Sequence, residues 1–348
     1  MSAVESRAAA RPWWGGSPAW LPGMTLAAVL AVLALAVAEL ETRAFGQPLI
    51  EGLVVALLLG VLVRNVLPSS QGAACNPGTS LASKQVLEAG VALLGASVSF
   101  PALLSAGPAL LGLVLGGVGL GIGASFLLGR GFGLPTKLAV LVAVGSSICG
   151  NSAIAAVAPV IRAEKRDVAS AIGLTAAIGV AMVLALPWLI EPASLSHYQY
   201  GVLAGMSVYA VPQVMAAAFP VSQLSGEVAT LVKLTRVLLL GPVVVVMGLL
   251  FRGGEARKSV SAYLPWFVLL FLLLATIRSA GWLPDAVSVP AREVSRLLTV
   301  LAMAGLGFGV ELAAVRSVGP RVGAAVLASL AVLVAFSLVA LRLLGIDG

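Results

Sequence analysis

A chain of 348 residues that is 60% hydrophobic and only 10% charged, with a mean hydropathy of +1.08, lies far from the roughly 25% charged residues of soluble proteins and reads as an all-α polytopic membrane protein. Its 21 Lys and Arg outnumber 14 Asp and Glu, but they form no basic cluster, so they argue for topology signals in a lipid bilayer and not for nucleic acid as a partner. Two cysteines and one histidine leave neither a disulfide framework nor a Cys- or His-based metal site, and no GxxxxGK[ST] loop is present, so neither a cofactor nor an ATP-driven pump is expected.

Residues 1–23 carry Arg7, Arg11, Trp13, Trp14 and Trp20 and read as a cytosolic tail ending in interfacial aromatics; 24–348 reads as one transmembrane domain. The first apolar run lacks an A-x-A cleavage site and is taken as an anchor. Apolar segments follow at roughly 24–40, 49–67, 85–106, 109–129, 137–161, 168–190, 200–221, 228–251, 262–280, 294–315 and 322–345, most of them near the ~20 residues of a spanning helix. The polar stretches between them, 68–83 (which places Cys75 in a loop) and 252–261, are too short for a soluble domain.

The fifth segment is not smooth. GSSICGNSAIAAVAPVI, 145–161, gathers Gly145, Ser146, Ser147, Cys149, Gly150, Asn151 and Ser152. Its glycines let a helix unwind, and its hydroxyls and amide satisfy backbone groups that lipid would leave bare. A broken helix at the midplane offers oriented N–H donors to an anion. Close helix packing explains small residues equally well, but an amide at bilayer depth is costly without a partner or a task, and Asn151 favours a site. The seventh segment is interrupted in the same way, by Gly205, Ser207, Pro212 and Gln213.

Charge bias weighs the topologies. With all segments spanning and the N-terminus inside, the inner side holds Arg7, Arg11, Arg64, Lys84, Arg130, Lys137, Arg252, Arg257, Lys258, Arg316 and Arg321, against seven outside. If the fifth and seventh segments are re-entrant, Arg162, Lys165 and Arg166 join the inner set and leave Arg43, Arg278, Arg292 and Arg342 outside. Both topologies satisfy the charge bias. Laying 145–190 over 205–250 without gaps pairs Gly145 with Gly205, Ser147 with Ser207, Val168 with Val228, Leu174 with Leu234 and Thr175 with Thr235; GASVSFPALLSAGP, 95–108, matches GFGVELAAVRSVGP, 307–320. Both hint at internal repeats, the usual basis of secondary transporters.

The eighth segment carries Lys233 and Arg236 on one helical face. Arg236 lies nine residues beyond Glu227, about 13 Å along the helix and near the bilayer centre, where a cation costs about 2.5 to 3.5 kcal/mol without a polar partner. Either the pair serves an anion path, or it is a structural ion pair with Glu88 or Glu311. Glu311, after the glycine-rich GLGFG, is also a candidate coupling-ion group.

GVLVRN at 60–65, VALLGASVSF, GSSICGNSAIAAVAPVIRAE, VKLTRVLLLGPVV, PWFVLLFLLLATIRSAGWLP and AMAGLGFGVEL together resemble the sulfate exporter family, the YeiH-type bacterial inner-membrane proteins. The resemblance implies about ten or eleven spans with discontinuous helices, an inner-membrane location and an anionic substrate. Two departures stand out. Tyr209 and Ala210 occupy places where that family carries a His-Glu or His-Asp pair, and Ser97 stands where a basic residue is usual.

The leading expectation is a secondary transporter, an exporter of a small anion such as sulfate or a sulfonate. Ser146, Ser147, Cys149, Gly150, Asn151, Ser152, Ser207 and Gln213 form the binding set, with charge from Lys233 and Arg236. The N-terminus is expected in the cytoplasm, and a homo-oligomer is left open. A channel with the same lining and a sodium- or proton-coupled organic-anion transporter are the rivals. An intramembrane enzyme using Ser147 or Cys149 fares poorly, because the one histidine, His197, lies in a loop.

Overall fold

Apolar segments in lipid must satisfy their backbone internally, and the helix does so within one segment. The computed structural model describes residues 18–45, 52–97, 107–251, 266–311, 313 and 319–346, and every regular element among them is helical. In chain order these are α1 (Leu21–Phe45), α2 (Gly52–Val66), α3 (Ser69–Leu81), α4 (Leu87–Leu94), α5 (Gly107–Gly131), α6 (Thr136–Ser147), α7 (Asn151–Val160), α8 (Lys165–Ala185), α9 (His197–Ser207), α10 (Val211–Ala218), α11 (Gln223–Leu238), α12 (Leu240–Leu250), α13 (Trp266–Ser279), α14 (Asp285–Phe308) and α15 (Pro320–Leu343). Among the described residues five stretches, Leu21–Arg43, Gly107–Gly131, Arg166–Ala193, Gln223–Leu250 and Pro320–Leu343, are long and apolar enough to cross a membrane.

One expected loop is helix. Ser69 to Leu81 forms α3, which a π-helical turn, Ala82–Val86, joins to α4, so Cys75 is helical. Hydropathy misses α3 because its buried face is made of small residues. Gly78 lies so close to α1 that a Cβ there would sit 2.0 Å from the Trp20 carbonyl oxygen, and one on Gly23 would sit 1.9 Å from that of Cys75. The same close packing joins α2 to α14, where a Cβ on Gly60 would meet the Ala304 carbonyl at 2.3 Å and one on Gly307 that of Leu57 at 2.1 Å. Small residues in GVLVRN and GLGFG therefore serve helix contact.

The helices sort into two bundles. α1 to α4, α13 and α14 pack on one another, as do α5 to α12 with α15; the two groups meet chiefly where α10 lies against α2 and α14. The first is termed the scaffold bundle. The second holds both interrupted segments.

Neither interrupted segment crosses. Lys137, at the start of α6, donates to the Arg162 carbonyl just beyond α7 at 2.7 Å, and a Cβ on Gly145 would touch the Ile154 side chain. Thus α6 and α7 form a re-entrant hairpin, hairpin A, whose two ends lie on one face. In the other segment Tyr200 Oη of α9 donates to the Ala217 carbonyl of α10 at 2.8 Å. Gly201 and Gly205 of α9 lie against Val228 and Val232 of α11, so α9 and α11 run parallel and α10 must return. This is hairpin B. Since α8 leads from the base of hairpin A to the base of hairpin B, the two hairpins enter from opposite faces. At 1.5 Å per residue their helices are about 12 to 18 Å long, enough to bring both tips to the middle of a ~30 Å core.

The gap-free overlay of 145–190 on 205–250 survives in three dimensions, with α6, α7 and α8 matching α9, α10 and α11 and breaks at 148–150 and 208–210. A unit that folds back once and crosses once ends on the opposite face, so its tandem copy is inverted. The second match, 95–108 on 307–320, falls largely on 98–106, 312 and 314–318, outside the described residues. Cysteine labelling checks the hairpins: Thr136→Cys and Ala163→Cys should react from one face of the membrane, and His197→Cys and Pro220→Cys from the other. Labelling of the first two from opposite faces would restore a spanning fifth segment.

Candidate functional site

The two tips touch at the centre of the second bundle. Helix α6 ends at Ser147, and the chain turns through Ile148 and Gly150, the latter at φ 68° and ψ −123°, a combination open to glycine and strained for other residues. A Cβ on Gly150 would lie 3.4 Å from the Tyr209 Cβ. In hairpin B the break is extended, with Val208 at φ −76° and Ala210 at φ −98°. Pro212 opens α10 in its first turn, where a missing N–H costs nothing. The Gln213 Oε1 accepts from the Ala210 N–H at 3.2 Å, and its Nε2 donates to the Ala176 carbonyl of α8 at 3.1 Å. Gly179 makes room for it, since a Cβ there would fall 2.0 Å from Oε1.

Lys233 and Arg236 of α11 are wholly buried between the tips. Lys233 Nζ donates to the Ile148 carbonyl at 2.6 Å and the Val208 carbonyl at 2.9 Å. Arg236 Nε donates to the Ser147 carbonyl at 3.0 Å, Nη2 to Ser146 at 2.9 Å, and Nη1 to Gly205 at 2.8 Å and to the Met206 carbonyl. All six acceptors are terminal carbonyls of α6 and α9 or lie just beyond them, where a helix leaves its C=O groups unpaired and carries about half a negative charge. One short helix face thus caps both hairpins. Charge-assisted bonds of about 1.5 to 3 kcal/mol each exceed together the about 2.5 to 3.5 kcal/mol that each cation costs at bilayer depth.

Neither expected carboxylate reaches this pair. Glu311 forms an ion pair with Arg64 at the rim of the scaffold bundle, where Arg64 also lies 5.2 Å over the Phe308 ring. Glu88 accepts from Trp266 Nε1 at 2.9 Å. The ion-pair alternative for Arg236 is therefore replaced by backbone carbonyls, an acceptor that side-chain inventory does not reveal.

The other expected residues divide. Ser146 and Ser207 turn their hydroxyls onto their own helices, donating to Val142 at 2.7 Å and Leu203 at 2.6 Å. Ser147 Oγ is buried with no hydrogen-bond partner among the described residues, and the buried hydroxyl of Tyr209 lies beside Ser146. Cys149 is buried in tip A. Asn151 opens α7 and accepts from Thr175 Oγ1 at 3.1 Å, while Ser152 beside it is exposed. Tyr209 and Thr175 belong to the tip environment and were not in the expected set. The one signal for Thr175 was its pairing with Thr235 in the overlay; Tyr209 entered only as a departure from a family pattern.

The family model described as conserved hypothetical protein 698 matches residues 22–326. A UPF0324 membrane protein of Brucella suis biovar 1 is 43% identical over 328 residues, spanning 94% of this chain and 97% of that one. One from Bradyrhizobium diazoefficiens is 45% identical over 92% of both chains, and one from Clostridium tetani 31% identical over 90% of this chain and 95% of its own. With near full-length likeness and a helical, multi-pass fold, the chain belongs to the UPF0324 family of membrane proteins.

Proposed function

We propose that the chain is a secondary transporter that exports a small anion, sulfate or a sulfonate, across the bacterial cytoplasmic membrane by alternating access at the hairpin tips. The observation that carries this reading is the charge at the crossing. Two helix C-termini and two helix N-termini meet there, and their partial charges of about half a unit each cancel. Lys233 and Arg236 remain, with no carboxylate bonded to either among the described residues. Each also keeps one N–H beyond those bonded to carbonyls, since Lys has three and Arg five. An anion held by these donors with Ser147, Asn151, Ser152 and the first N–H groups of α7 balances the site; Ser146, Cys149, Gly150, Ser207 and Gln213 shape it.

Access alternates as the bundle that carries both hairpins moves against the scaffold, because among the described residues the two meet chiefly through α10. Re-entrant hairpins put fourteen cations on the side of Arg64 and Arg130 and leave Arg43, Arg278, Arg292 and Arg342 on the other, so the N-terminus is assigned to the cytoplasm.

The test is counterflow in proteoliposomes, after a thermal-shift screen of sulfate, sulfite, sulfonates and carboxylates. Saturable counterflow of an anion supports the transporter; flux without counterflow supports the channel. Glu311 is the candidate for ion coupling, which requires its pair with Arg64 to open. In that role Glu311→Gln abolishes the dependence of uptake on a proton or sodium gradient, and it costs about 1 to 3 kcal/mol of stability, since Arg64, only 13% exposed, loses its charged partner. Unchanged coupling in this variant removes Glu311 from the mechanism.

A further inference from the structure

At the base of hairpin A the chain turns through an arginine in a backbone conformation that suits glycine. Helix α7 ends in a Schellman cap, in which the Ala163 N–H returns to the Ala158 carbonyl at 2.9 Å and the Arg162 N–H to the Pro159 carbonyl at 3.3 Å. The cap places Arg162 in the left-handed region, at φ 52°, where a side chain is strained and glycine is not. The cap uses only the Arg162 backbone, whose carbonyl also accepts from Lys137 Nζ at 2.7 Å. What arginine adds over glycine is its side chain, which is exposed.

Arg162 stands at one end of a groove of about 430 Å³ between α7 and α8, whose other walls are Ala158, Pro159, Ala163, Val168, Ala169 and Ile172. Among the described residues it is the one charged group in that lining. The neighbouring carboxylates, Glu164 and Asp167, line a second cavity on the other side of α8 together with Arg166 and Arg321, so two acids meet two cations there. The groove also matches the depth profile of a lipid. Arg162 lies at the hairpin base, by the aqueous boundary, while Ala158 is four residues up α7 and Ile172 seven residues into α8, about 6 and 10 Å toward the bilayer centre. Among the described residues neither helix packs closely on the scaffold bundle, so an occupant arrives from the bilayer. An acyl chain gains from the apolar walls. A phosphate takes paired, charge-assisted bonds from a guanidinium, whose five N–H groups exceed what one neighbour uses. A zwitterionic head would bring an ammonium beside Arg162, with no carboxylate in the groove to receive it.

We propose that this groove binds an anionic phospholipid, with the phosphate on Arg162 and the upper part of one acyl chain along Ala158, Pro159, Val168 and Ile172. The site rests on the hairpin fold and is independent of the transporter reading. The photoreactive residue p-benzoylphenylalanine replaces Ile172 in the full chain, held in nanodiscs of equal dioleoyl phosphatidylglycerol and dioleoyl phosphatidylcholine, and mass spectrometry after irradiation counts the lipid adducts. The same probe at Leu120, exposed midway along α5, reports the surrounding lipid. The ratio of phosphatidylglycerol to phosphatidylcholine adducts at position 172 should exceed that at 120 by about fivefold, the factor that one basic residue near an anionic lipid supplies. Val168 takes the probe if the Ile172 variant fails to insert.

Arg162→Gly removes the side chain and relieves the backbone. It should bring the two ratios level, yet melt no lower than the wild type in phosphatidylcholine alone. Arg166→Gln, on the second cavity, should leave the enrichment intact, and glycerol 3-phosphate in solution should not compete with the adduct. Equal ratios at 172 and 120 in the wild type, or enrichment that survives Arg162→Gly, overturn the lipid site. So does an equal loss in Arg166→Gln, which would show only a diffuse basic surface, or competition by glycerol 3-phosphate, which would put a free phosphate at Arg162. A lower melting temperature for Arg162→Gly in phosphatidylcholine would assign the arginine to the hairpin's own stability and overturn its lipid role.

Discussion

Replacing Arg236 by glutamine is expected to destabilise the substrate-free protein by several kcal/mol, enough to lower its melting temperature clearly in detergent. The guanidinium satisfies the carbonyls of Ser146, Ser147, Gly205 and Met206. A buried group left without its partner costs about 1 to 3 kcal/mol, and one amide replaces at most two of these bonds. Arg236→Lys should recover little, since an ammonium cannot reproduce a planar fork that reaches two hairpins at once. Adding Glu311→Gln to Arg236→Gln should not rescue stability, because Glu311 belongs to Arg64. A melting temperature for Arg236→Gln that equals or exceeds the wild type would mean that Arg236 does not clamp the hairpins and serves the ligand alone. Rescue by Glu311→Gln would reinstate the ion pair.

The capping role of Arg236 was not legible in the sequence, whereas the charge proposed for an anion was. Hydropathy and charge located the eleven apolar segments, singled out the two that are interrupted, and brought Lys233 and Arg236 to the bilayer centre. They could not decide between spanning and folding back, because a hairpin of two half-length helices has the same hydropathy as one broken crossing helix. What decides is who faces whom: Lys137 against Arg162, Tyr200 against Ala217. The partners of the two cations were hidden for a related reason. Every helix end supplies unpaired carbonyls whatever its side chains, so a search for acidic side chains looks for the wrong acceptor. The polar run at 68–83 was misread as a loop for want of hydrophobic residues, when small residues against a neighbouring helix bury just as well. Only the overlay of 145–190 on 205–250 carried the tertiary plan, and its matches were of residue types common throughout this chain.

That overlay also supplies the control for the second large effect, at the tip of hairpin A. Gly150 and Ala210 occupy matching places, yet Gly150 has φ 68° and Ala210 an ordinary extended φ of −98°. Gly150→Ala should therefore cost about 1 to 3 kcal/mol in backbone strain. The added methyl itself meets Tyr209 at an ordinary contact distance of 3.4 Å, so the cost is conformational and not steric. Ala210→Gly, which only frees the unfolded chain, should cost under about 1 kcal/mol. Gly150→Leu adds bulk where the tips meet and should abolish anion counterflow while the chain still inserts and labels with the same hairpin topology at Thr136→Cys and Ala163→Cys. Thermal melts of the three variants beside counterflow rates separate the two contributions. Gly150→Ala no less stable than Ala210→Gly would show that the tip lacks the strained turn, and full counterflow by Gly150→Leu would move the binding site away from the hairpin tips.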